Sequence, residues 1–127
     1  MKITAIEIED QEAADILTTA IESNGIRYWA CNFGVIDIWR NDKETENANV
    51  DDGYIVKARF KADKEDGAGK PVLYTIDLES IKKAVSLALL PKHRIDALIS
   101  QLVRQNIDSE GADVILQLAC FEEVIYG

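Results

Sequence analysis

The sequence predicts an α+β domain, a small antiparallel β-meander packed with about four helices in the order (β)αβββααα. Three observations predict it. Residues 13–21 place apolar side chains at helical spacing. Between Ile26 and Leu78 the period falls to two, in runs of aromatic and branched residues parted by polar turns. From Asp77 onward the helical period returns in three stretches. Nothing in the composition marks a linker or a repeat, so residues 1–127 form one domain.

The opening KITAIEI alternates loosely and reads as a short strand or an extended lead-in. In EDQEAADILTTAIESNG, Ala13, Ile16, Leu17, Ala20 and Ile21 make one face of an amphipathic helix. Acids crowd its first turn, where the helix dipole favours them. Asn24-Gly25 ends it with residues that tolerate a left-handed cap.

IRYWACNF and VIDIW then read as strand, with Gly34 as a bend or bulge. In the first, Ile26, Tyr28, Ala30 and Asn32 share one face, and Arg27, Trp29, Cys31 and Phe33 the other. RNDKETENANVDDG is a loop of about a dozen residues. YIVKARFKA alternates cleanly, with Tyr54, Val56, Ala58 and Phe60 on one face and Ile55, Lys57, Arg59 and Lys61 on the other. DKEDGAGKP turns the chain into a further strand, VLYTIDL.

Asp77 caps a helix whose face is Ile81, Ala84, Val85, Ala88 and Leu89. Pro91 interrupts it. The next helix carries Ile95, Leu98, Ile99, Leu102 and Val103. Asp108 or Ser109 caps the last, EGADVILQLACFEEV, with Ala112, Ile115, Leu116 and Ala119 on one face and Val114, Leu118 and Phe121 beside it. Such a helix is either central to the core or shared with a second subunit as a homodimer contact. Asp15 and Asp113 interrupt these apolar helices, either exposed or bonded to Arg27 or a backbone amide.

The chain is 47% hydrophobic and 29% charged, ordinary values for a globular protein. No apolar run reaches the length of a membrane span, and MKITAIEIED is not a signal peptide, so a cytoplasmic protein without a membrane partner is expected. The formal charge of −9 is concentrated at the ends. Residues 1–26 set Glu7, Glu9, Asp10, Glu12, Asp15 and Glu22 against Lys2 alone, and residues 105–127 hold five acids and no base. If the ends pack together they form one acidic face, which repels nucleic acid and steers toward a basic partner.

No residue pattern carries a recognisable chemistry. Cys31 and Cys120 do not make a disulfide framework, and with the lone His93 they do not make a zinc site. A catalytic cysteine needs a base in reach, and Cys31, beside Trp29 and Phe33, reads instead as a small core side chain, as does Cys120. Asp51-Asp52 and Glu122-Glu123 are adjacent in sequence, which does not supply an acid–base pair. The acidic turns lack the spacing of a calcium loop. GAGK runs into Pro71 and is not a phosphate loop, and no dinucleotide fingerprint occurs. No catalytic residue, metal or cofactor is therefore expected. A stripe of Lys57, Arg59 and Lys61, joined by Arg27 or Arg40, is the candidate grip for a small anionic or nucleotide ligand.

Three stretches, ADILTTAIESNGIRYWA (14–30), YTIDLESI (74–81) and ADVILQLACFEEVIYG (112–127), resemble a family of small uncharacterised proteins of bacteriophages and prophages. This chain departs from the family pattern where Ser23-Asn24 replaces a common Gly-Gly and Glu122 a common Gly. The resemblance carries no activity to particular residues. It implies an accessory protein of the bacterial host cytoplasm. With the acidity, it leads to an expectation of a non-enzymatic binder of a host protein, such as an inhibitor of a CRISPR or restriction complex. Glu9, Asp10, Glu12, Glu122 and Glu123 would face a basic nucleic-acid-binding groove on that partner. The alternative is a homo-oligomer that sequesters the anionic ligand.

Overall fold

The elements follow the expected order, a helix, three strands and three helices, with a one-turn helix added before the first strand. The computed structural model describes residues 6–23, 25–44, 47–62 and 71–124, with the backbone alone at 28, 31–34 and 36. Helix α1 spans Asp10–Glu22, the one-turn helix α2 Ile26–Trp29, strand β1 Ala30–Arg40, β2 Ile55–Ala62 and β3 Val72–Asp77. Helix α3 spans Leu78–Ala88, a 3-10 turn Pro91–His93, α4 Asp96–Val103 and α5 Ser109–Phe121. The three strands form one antiparallel sheet in the order β1-β2-β3. Of the lead-in at 2–8, the described part from Ile6 onward is outside the sheet, and residues 2–5 lie outside the described residues. The second turn, 63–70, lies outside them too.

The sequence places Ile26–Trp29 in a strand, but these residues form a helical turn. The reason is burial. Strand alternation would put Ile26 and Trp29 on opposite faces, whereas a helical turn puts both in the core, at 2% and 5% exposure. Burying a side chain such as Ile is worth about 1.5–3 kcal/mol, while strand propensities span only ~1 kcal/mol.

Of the expected cap at Asn24-Gly25, Gly25 is not left-handed, and Asn24 lies outside the described residues. Ser23 is extended and Gly25 is right-handed helical. Gly25 supplies space instead, because a Cβ there would sit 2.9 Å from Asp113 Oδ1. The bend at Gly34 fits a register shift between Ala30 and Val35.

Both predicted caps form. Asp77 accepts from Ser80 N at 2.9 Å in a reciprocal capping box, and Asp108 accepts from Gly111 N at 2.7 Å. Pro91 starts the 3-10 turn two residues after α3 is capped. Helix α5 packs on both α1 and α3, and α1 packs on β2. The apolar circumference of α5 is therefore taken up inside one chain, with Ile115, Leu116, Gln117 and Leu118 all fully buried. Trp29 contacts Phe60 and Phe121 edge-on at 5.6 and 5.4 Å, and Tyr74 meets Phe121 at 5.5 Å.

Candidate functional site

Alternation along β2 sorts its side chains. Val56, Ala58 and Phe60 are buried toward the helices, Lys57 and Arg59 are half-buried, and Lys61 is exposed. Ile55 departs from the expected pattern, being fully buried beside the register shift between Trp39 and Arg40. Across the outer face the register sets Trp39 opposite Lys57 and Lys57 opposite Asp77. In the next row Asp37 faces Arg59, and Arg59 faces Thr75.

Trp39 was not singled out by sequence reasoning, yet it organises this face. The residue is 37% exposed. Lys57 Nζ lies 4.9 Å and Arg59 Cζ 5.8 Å from its ring centre, both within cation–π reach. The Arg59 guanidinium also pairs with Asp37. Beside Trp39 and Lys57 opens a groove of about 450 Å³, bordered by Asp77, Leu78 and Glu79 at the start of α3 and by Asp10 and Asn47. Lys61 lies further along the strand, opposite Leu73. Arg27 stands exposed on α2, and no described contact joins it to the stripe.

The five acids expected to meet a partner divide into different roles. Asp10 is a structural junction. Its Oδ1 pairs with Lys82 on α3, and its Oδ2 accepts from Asn47 Nδ2 at 2.7 Å in the loop after β1. Hydrogen bonds from Lys82 and then Asn47 hold its carboxyl below the ordinary carboxylate value, and Asp10 in turn raises Lys82. Glu12 accepts from Gln105 Nε2 at 3.1 Å, so the first turn of α1 meets the connection between α4 and α5. Glu9 is exposed just before α1. Glu122 caps α5 in a left-handed conformation at φ 60°, exposed, beside Lys83 and Leu87 in a crevice of about 150 Å³. Glu123 follows it, also exposed.

Asp113 resolves to neither sequence alternative, since it accepts from Trp29 Nε1 at 2.9 Å and Gln117 Nε2 at 2.9 Å. Asp15 is exposed. Cys120 is largely enclosed on α5, and burial, aided by the Asp113 charge, pushes its thiol far above the usual range. A thiol so placed is a packing group and a poor nucleophile. The Cys31 side chain lies outside the described residues. His93 sits in the 3-10 turn after α3. Among the described residues no group of three or more His, Cys, Asp or Glu is placed to hold a metal ion, and no helix is long and apolar enough to cross a membrane.

Comparison with protein-family models, curated proteins and solved structures finds no match for this chain.

Proposed function

We propose that this protein is a phage or prophage accessory factor that works by binding a host protein, without catalysis, through its acid-rich surface. The observation that carries the reading is the meeting of the two acidic chain segments. Helix α1 packs on α5, and the Glu12–Gln105 hydrogen bond links the acid-rich first turn of α1 to the segment that leads into Asp108 and Glu110. Asp15 lies with Glu12 beside Gln105 and Asn106, and Glu9, Asp15, Asp108 and Glu110 are all exposed. A surface of this kind attracts a basic groove and repels nucleic acid. The partner class is then a host protein with a nucleic-acid-binding groove, such as a component of a defence complex.

The test is capture from a lysate of the bacterial host, read by native mass spectrometry, with the variant E9Q/E12Q/D15N/E110Q/E122Q/E123Q beside the wild type. Asp10 stays unchanged because it fastens α1 to α3. A stoichiometric basic protein held by the wild type and lost by the variant is the expected result. Equal capture by both overturns the charge-based reading, and no stoichiometric host protein overturns the reading as a whole.

A second reading, a homo-oligomer that holds a small anionic ligand in the bacterial cytoplasm, is favoured by Lys57 and Arg59 gathered on Trp39. Its oligomeric part is tested by the mass of the purified protein at micromolar concentration, where a monomer counts against it.

A further inference from the structure

We propose that the outer face of the sheet around Trp39 binds a nucleoside phosphate, with the base stacked on the indole and the phosphates held by Lys57, Arg59 and Lys61. The inference rests on the anion-binding reading and names its ligand class. Three features carry it. First, the exposed Trp39 ring offers an aromatic platform on an open sheet face, and a nucleobase stacks on such a ring whatever its sequence identity. Second, the two cations nearest that ring, Lys57 and Arg59, belong to the same strand as Lys61, so the positive row begins at the platform. Third, the adjoining groove of about 450 Å³ falls in the size range of small-ligand sites, roughly 300–1,000 Å³.

The groove also carries carboxylates. Asp10, Asp77 and Glu79 line it beside Trp39; Asp10 is paired with Lys82, and Asp77 and Glu79 are exposed. They oppose a phosphate but accept hydrogen bonds from sugar hydroxyls or a base amino group. Asp37 further offsets Arg59. A bare anion therefore meets both signs of charge on this face, whereas a nucleotide meets an aromatic, an acceptor and a cationic surface in turn. That contrast is why the site points to a nucleoside phosphate over inorganic phosphate.

Isothermal titration calorimetry separates the possibilities. Wild type, W39F, W39A and K57A are titrated with ATP, GTP, CTP and UTP, and with inorganic triphosphate. Trp39 and Lys57 lie on the outer face, so these variants should keep the fold, which circular dichroism checks. At least one nucleotide should bind more tightly than triphosphate. W39A should weaken it by roughly tenfold or more through lost base stacking, while W39F stays close to wild type. K57A should weaken both nucleotide and triphosphate. If triphosphate binds as tightly as the nucleotides and W39A leaves all of them unchanged, the nucleoside inference fails while the anion reading stands. If no nucleotide and no triphosphate binds, both fail.

Discussion

Trp29 and Asp113 are 84 positions apart, yet the indole Nε1 donates to the Asp113 carboxylate at 2.9 Å. The bond ties α2 to the second turn of α5. Asp113 also accepts from Gln117, which is fully buried. D113A takes an acceptor away from both, so we expect a stability loss of about 1–3 kcal/mol. Urea unfolding reads it as a lower midpoint at unchanged slope. A midpoint equal to wild type would show that the two donors are satisfied as well elsewhere.

Asp10 and Lys82 predict a pH dependence with a definite sign. Asp10 titrates below its ordinary value of 3.8 in the folded protein. Its contribution is fully present above the unfolded value and is lost as pH falls through the lowered folded one. Lys82 titrates above 10.5, so its share is full below that value and is lost as pH rises beyond it. D10N should therefore cost about 1 kcal/mol at pH 7. The gap to wild type should narrow as pH drops below about 4. A gap constant down to pH 2.5 would mean that Asp10 acts through packing and not through its charge.

The Cys120 thiol, pushed up by burial, should resist a disulfide reagent at pH 8 in the folded protein and react once urea unfolds the chain. A C31S background isolates the signal. Fast native labelling would place Cys120 in an open, ionisable setting and remove it from the core.

Periodicity made much of this fold legible. The core faces of α1 and α3, the β2 alternation and the caps Asp77 and Asp108 all follow from local chemistry acting within a few residues. What the sequence hid depends on contacts between distant segments. Ile26–Trp29 has strand-forming residues, and only the demand that Ile26 and Trp29 share a core makes it helical. Trp39 gains its place from the pairing register with Lys57, which alternation within one strand does not fix. Asp10 looked like one acid among many because Lys82 and Asn47 lie 72 and 37 positions away.

Glu122 gives the last prediction. It ends α5 at φ 60° and ψ 12°, with its N–H donating to Leu118 O at 3.0 Å. A residue with a Cβ is strained in this region, and glycine is not. E122G should therefore stabilise the protein by about 0.5–1 kcal/mol, the part of the strain left after glycine's greater unfolded freedom is counted. The control is E122A, which removes the same charge but keeps the Cβ. It should give no gain. Equal gains from E122G and E122A in urea unfolding would assign the effect to relief of acidic repulsion at the chain's end and not to the left-handed cap.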